Sequence, residues 1–98
     1  MSPFEQEAAC ATTAHAWVEA GALLLDVRSP EEFAASHIPG ACNLPLPELE
    51  ARFAELWPKQ QPIVLYCRSG ARSARAATLL RGAGFARIHD LGAMLNWA

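Results

Sequence analysis

The chain has 98 residues, of which 52% are hydrophobic and 18% are charged, and its net charge is −2. This composition suits one globular domain and excludes a disordered acidic or basic tail. The slightly acidic balance argues against nucleic acid as a partner, and the apolar runs are too short to span a membrane. We therefore predict one domain over residues 1–98, with a partly disordered N-terminal segment at residues 1–11.

The N-terminal segment and the cysteines favour a cytoplasmic protein. Residues 1–11 contain two glutamates and no Lys or Arg, whereas a secretory signal begins with positive charge. The cysteines Cys10, Cys42 and Cys67 are odd in number and form no C-x-x-C pair. This pattern predicts neither a disulfide scaffold nor a metal site, and a reducing compartment fits it best.

The predicted elements begin with a helix and a buried strand. Thr12-Thr13 is a plausible N-cap for a helix that runs to Ala20, and Gly21 is the predicted stop. The apolar run Leu23–Val27 contains a single aspartate. Such a run is typical of a parallel strand that is covered on both faces.

A short helix and a short strand are predicted next. The Ser-Pro-Glu-Glu run that begins at Ser29 combines a cap, a proline at the first helical position and acidic residues in the first turn. We expect this helix to reach about Ser36, because Pro39-Gly40 breaks it. Residues 41–44 predict a strand, in which Cys42 is expected to be buried.

The second half of the chain continues the alternation of helices and strands. Apolar residues at three-and-four spacing predict an amphipathic helix over residues 47–57. Residues 63–66 are the clearest strand and are expected to be central, and residues 73–83 and 87–89 predict a helix and a last strand. Alternating strands and helices favour a parallel sheet covered on both faces.

The loop after the central strand is the most informative part of the sequence. Cys67 stands where a buried strand ends and a helix is about to begin, and ligands of parallel sheets bind at the carboxyl ends of strands. Backbone N–H groups of the loop and helix start can converge on an anion, and Gly70 permits the tight turn that this needs. Arg68 and Arg72 add positive charge. We therefore predict a nucleophilic thiolate at Cys67 with a lowered pKa.

Three blocks of the sequence resemble the rhodanese family of sulfurtransferases, and the similarity covers nearly the whole chain. The blocks are Leu25–Arg28 followed by Glu31-Glu32-Phe33, then His37–Ala41 with Asn43 and Pro45, and finally Cys67–Ser73. Each block alone is moderately specific, and their order and spacing together are far more so. The resemblance implies an α/β fold, a three-layer sandwich with a small parallel sheet of about five strands and helices on both faces.

The resemblance also implies a reaction. Cys67 would take a sulfane sulfur from thiosulfate or a related donor, become a persulfide, and pass the sulfur to cyanide or a thiol. No cofactor is implied, and the expected partners are the small-molecule donor and acceptor, with a thiol redox protein as a further candidate. The expected assembly is a monomer or a weak homodimer.

Roles for individual residues follow from the same resemblance. The substrate-binding loop would consist of Arg68, Ser69, Gly70, Ala71, Arg72 and Ser73. Of the two arginines, Arg72 is the expected substrate contact, whereas Arg68 holds a variable position. Asp26, Arg28 and His37 would be structural residues near the site. Asp26 and Glu32 could also be interpreted as an acid–base pair, but we expect them to bond backbone amides or to pair with Arg28.

Two other functions compete with sulfur transfer. Phosphatases and arsenate reductases of this fold have five residues between Cys and Arg and usually a histidine before the cysteine. Here Arg72 comes one position early, Ser73 stands where the arginine belongs, and Tyr66 replaces the histidine. The other alternative is a non-catalytic persulfide carrier or binding module. Departures from the family pattern are Ser36, where glycine is common, and Gly92-Ala93, which replaces a double glycine.

Overall fold

The computed structural model describes Phe4 and residues 11–97. Cys10 and most of the N-terminal segment lie outside the described residues, so the partial disorder of that segment stays a prediction. The helices are α1 (Ala11–Glu19), α2 (Pro30–Ala35), α3 (Leu46–Leu56), α4 (Ala71–Gly82) and a final 3₁₀ helix (Met94–Trp97). The strands are β1 (Leu23–Asp26), β2 (Cys42–Asn43), β3 (Ile63–Cys67) and β4 (Ile88–Ala93).

The strands form one parallel sheet in the order β2-β1-β3-β4. The prediction of about five strands is wrong for the described residues, which form four. The described segments that flank the strands directly are α1 and the 3₁₀ helix, and they add no strand to the sheet. None of the described helices has the length and apolar character needed to cross a membrane.

The sheet separates two apolar clusters, as the prediction of helices on both faces requires. Ile63, Leu65 and Cys67 point to one face and pack with α3 and α4. The intervening Val64 and Tyr66 point to the other face and pack with α1. All five residues of β3 are buried, because a strand in the middle of a three-layer domain has no solvent side. This alternation delivers the last residue of β3 to the α4 face.

Several boundaries differ from the sequence prediction. Helix α4 begins at Ala71 instead of Ser73, because Gly70 is its N-cap. Strand β4 is six residues long and continues through Asp90 and Gly92, residue types that are rare in strands. Cys42 is exposed, which contradicts its predicted burial. The reason is that β2 has only two residues and lies at the edge of the sheet, paired on one side only.

His89 of β4 makes folding sensitive to acid. Its ring is buried beside Trp17, and its Nε2 atom has no hydrogen-bond partner among the described residues. Burial lowers the pKa of His89 from its usual value of 6.5. The unfolded chain therefore binds a proton at His89 near pH 6.5, whereas the folded chain binds it only at lower pH. The free energy of unfolding should consequently fall as the pH drops through 6.5.

Urea unfolding at about pH 7.5 and about pH 5.5 measures this effect. We expect His89→Phe to reduce the difference in stability between the two pH values. The exposed His37 offers a control, since His37→Gln should retain the wild-type difference. An unchanged difference in His89→Phe would contradict the assignment.

Candidate active site

Cys67 is the last residue of β3, and the chain turns directly from it into the start of α4. The side chain is 1% exposed and belongs to the apolar cluster on the α4 face. Its sulfur nevertheless has polar neighbours, because the backbone N–H of Gly70 donates to Sγ over 2.9 Å. The Oγ atom of Ser73, a residue that is fully buried, lies 3.7 Å from the same sulfur. The thiol thus packs among apolar side chains, accepts a hydrogen bond from the Gly70 N–H and donates one to the Ser73 hydroxyl.

Hydrogen-bond donors around Sγ stabilise the anionic form of the Cys67 thiol. Burial by itself raises the pKa of Cys67, since an apolar environment disfavours charge. Hydrogen bonds from the backbone N–H and the hydroxyl of Ser73 act in the opposite direction, as do the N–H groups of Gly70 and Arg72. The hydrogen bonds outweigh burial, and the pKa of Cys67 lies below its usual value. The site therefore has a larger thiolate fraction than an ordinary cysteine, and hydrogen bonds supply this effect.

Gly70 makes this convergence possible. It has φ +107°, a left-handed conformation that residues with side chains rarely adopt. A Cβ atom there would meet only ordinary contacts, the nearest at 3.7 Å from Gly92 Cα. Backbone conformation, and not lack of space, is what requires glycine at this position. The turn directs the Gly70 N–H toward Cys67 Sγ, and α4 begins at the next residue, Ala71.

The two loop arginines have different environments. Arg72 donates to both carboxylate oxygens of Glu32, with distances of 2.6 Å and 3.0 Å. Arg68 is exposed and has no ion pair or hydrogen bond within the described part of the chain. The sequence predicted different roles for the two arginines, but it did not predict the Arg72–Glu32 pair. A partial signal existed, because the capping sequence after β1 places Glu32 at the same carboxyl end of the sheet as the Cys67 loop, but it does not identify Arg72 as the partner.

Asp26 and Arg28 form a buried pair at the end of β1. The Asp26 carboxylate accepts hydrogen bonds from the backbone N–H, Nε and a terminal nitrogen of Arg28, the last over 2.6 Å. The Arg28 guanidinium also donates to the Ser36 carbonyl at the end of α2. These bonds hold α2 against the sheet. Asp26 therefore pairs with Arg28 as expected, whereas Glu32 pairs with Arg72 and does not form an acid–base pair with Asp26.

The other residues singled out in the sequence have structural contacts. His37 Nδ1 lies 2.8 Å from the Phe33 carbonyl, and the two rings stack with centroids 3.8 Å apart. The Tyr66 hydroxyl accepts a hydrogen bond from Ile38 N, and burial raises the pKa of Tyr66 to about 12. Because Tyr66 points to the α1 face, it is on the opposite side of the sheet from Cys67. Ser69 and Ala71 are exposed beside the loop arginines.

Comparison with known proteins agrees with this architecture. The profile of the Rhodanese-like domain matches residues 11–98. The chain belongs to the rhodanese family. A sulfurtransferase of Allochromatium vinosum is 43% identical over 77 residues, which are 78% of this chain and 71% of that protein. The human thiosulfate:glutathione sulfurtransferase is 38% identical over 90 residues, with 78% of each chain covered.

A solved sulfurtransferase structure has the same fold. The structure of a human single-domain sulfurtransferase superposes with a TM-score of 0.80 at 31% identity, covering 94% of this chain and 95% of that one. The named relatives place this rhodanese among sulfurtransferases. The parallel sheet with helices on both faces is thus the family fold, and the loop from Cys67 to Ser73 lies at the carboxyl end of its central strand.

Proposed function

We propose that this rhodanese transfers a sulfane sulfur through a persulfide on Cys67. The observation that carries the proposal is the set of donors around Sγ: the N–H of Gly70 at 2.9 Å and the further hydrogen bonds that lower the thiol pKa. A thiolate is the nucleophilic form of cysteine. The same donors would hold the terminal sulfur of a persulfide, which also carries a negative charge.

The two half-reactions balance in atoms and charge. The Cys67 thiolate attacks the outer sulfur of thiosulfate, a new S–S bond forms, and the old S–S bond breaks with its electron pair leaving on sulfite. The product is the Cys67 persulfide anion. Cyanide or a thiolate then attacks the terminal sulfur, which leaves as thiocyanate or as an organic persulfide and regenerates the Cys67 thiolate. A covalent intermediate of this kind predicts ping-pong kinetics.

The enclosure of Cys67 supports sulfur as the transferred group. Because the residue is 1% exposed, a reagent must present a narrow reacting end to meet Sγ. The outer sulfur of thiosulfate is a single atom, whereas a phosphate or arsenate presents four oxygens around its centre. Arg72 is also held by Glu32, while a phosphatase would need an arginine directed at the oxyanion. Both features favour sulfur transfer over the phosphatase alternative.

Treatment of the reduced protein with thiosulfate tests the proposal. We expect peptide mass spectrometry to find one added sulfur on the peptide that contains Cys67, and cyanide to remove it with formation of thiocyanate. The peptide with the exposed Cys42 is an internal control that should gain none. Absence of the adduct at Cys67, or equal labelling at Cys42, would refute the proposed intermediate.

The second half-reaction separates an enzyme from a carrier. A persulfide that cyanide or a small thiol discharges catalytically indicates a sulfurtransferase, with small-molecule donor and acceptor. A persulfide that forms but turns over only with a protein thiol would indicate the carrier function. We propose the catalytic function, since the relatives from Allochromatium vinosum and human are named sulfurtransferases.

A further inference from the structure

Glu32 pairs with the guanidinium of Arg72, the second residue of α4. The two Arg72 nitrogens donate to the two carboxylate oxygens over 2.6 Å and 3.0 Å, which is the geometry that the fork also offers to an oxyanion ligand. The side chains are 38% and 27% exposed, so both can be reached from solvent. The Arg72 guanidinium is therefore already hydrogen-bonded to the Glu32 carboxylate when an anion approaches Cys67.

Glu32 is firmly placed for this contact. It is the third residue of α2, and its Oε1 atom accepts from the Ser29 backbone N–H and hydroxyl while Ser29 Oγ accepts from Glu32 N. The hydrogen bonds from Arg72, followed by those from Ser29, lower the pKa of Glu32 to about 2. The carboxylate is thus charged at any working pH of the enzyme, and its helix cap aims it at the loop.

Arg72 belongs to the same short loop as the reacting sulfur, two residues after Gly70, whose N–H donates to Sγ over 2.9 Å. Its pKa is raised chiefly by the hydrogen bonds to Glu32, and the charge of Cys67 raises it further. Its backbone N–H is one of the groups that lower the thiol pKa. Because the Glu32 carboxylate compensates the positive charge of Arg72, it weakens the attraction of the site for anionic reagents.

We propose that Glu32 sets the charge preference of the site by filling the Arg72 fork, which disfavours doubly charged oxyanion donors. The inference rests on the proposed sulfur transfer for its biological meaning. A site tuned in this way prefers donors that carry little charge beside their sulfane sulfur, such as organic persulfides. Thiosulfate remains a substrate but gains nothing from the Arg72 fork.

Glu32→Gln tests this with the fold preserved. Glutamine at the third position of a helix keeps the capping box, so the substitution removes the charge and leaves the cap. Glu31→Gln is the matched control, because Glu31 lies in the same helical turn, is exposed, and loses the same charge without contacting Arg72. Thermal unfolding of both variants verifies that the fold is retained.

Two readouts distinguish the outcomes. In Glu32→Gln, kcat/KM for thiosulfate should rise about three- to tenfold, the scale of one partly exposed charge-assisted contact. The ratio of Cys67 alkylation rates by iodoacetate and iodoacetamide should rise by a similar factor, because only the first reagent is anionic. This ratio cancels the thiolate fraction and requires no sulfur transfer. In Glu31→Gln both quantities should stay near the wild-type values.

The result that overturns the inference is equal behaviour of the two variants, or a fall in both quantities in Glu32→Gln. If the wild-type protein transfers no sulfur but Glu32→Gln still raises the alkylation ratio, the proposed function is refuted and the charge role of Glu32 stands. A protein that transfers sulfur but has no such shift refutes the role of Glu32 alone.

Discussion

Replacing Cys67 by serine is expected to lower kcat/KM for sulfur transfer from thiosulfate to cyanide by at least about 10³-fold, because the attacking thiolate is lost. The fold should persist. Serine is similar in size, and its hydroxyl can accept the hydrogen bond that Gly70 N donates to Sγ. Thiocyanate formation measures activity, and thermal unfolding measures the fold.

Cys42→Ser is the control for this experiment. Cys42 is the exposed thiol on the edge strand β2, so the variant should keep wild-type activity. Substantial activity in Cys67→Ser, or its loss in Cys42→Ser, would show that the reacting cysteine has been assigned wrongly. A variant Cys67→Ser that fails to fold would instead be replaced by Cys67→Ala, for which the same loss of activity is expected.

Removing Arg28 is expected to cost about 3–5 kcal/mol of unfolding free energy. Asp26 is fully buried, and in Arg28→Ala its carboxylate would lose the guanidinium that bonds both oxygens. The Ser36 carbonyl would also lose its donor. Since a domain of this size is stable by only about 5–15 kcal/mol, this one change removes a large part of the total. The urea midpoint at constant slope measures the loss.

The exposed pair of Arg75 and Glu50 provides the comparison. Its N–O distance is 3.2 Å and the Arg75 side chain is 70% exposed, so Arg75→Ala should change stability by less than about 1 kcal/mol. Arg28→Lys should fall between the two, because it keeps the charge and loses the fork. If Arg28→Ala costs no more than Arg75→Ala, the buried pair does not stabilise the domain as argued.

The elements predicted best are those that local sequence specifies. The apolar run of β3 predicted a central, fully buried strand, and the Ser-Pro-Glu-Glu run predicted α2 with its cap. The position of Cys67 at the junction of strand and helix was also correct. In each case the deciding signal lies within a few residues, and neighbouring elements only reinforce it.

The features predicted less well depend on contacts between distant parts of the chain. The Arg72–Glu32 pair joins residues that are 40 positions apart, and nothing in either local sequence names the partner. Cys42 looked apolar and buried, but its exposure depends on β2 being a two-residue edge strand. Strand β4 continues through Asp90 and Gly92 because its pairing with β3 outweighs their low strand propensity.

The left-handed turn at Gly70 has a consequence for how this site can change. The donors that hold the sulfur are mainly backbone groups, whereas the side chains of Arg68, Ser69 and Ala71 project into solvent. Substitutions at these three positions can alter which molecules are admitted without moving the groups that support the charge. On the proposed function, reactivity and selectivity would be encoded by different atoms of one short loop, so a new substrate range could be acquired while the chemistry stays the same.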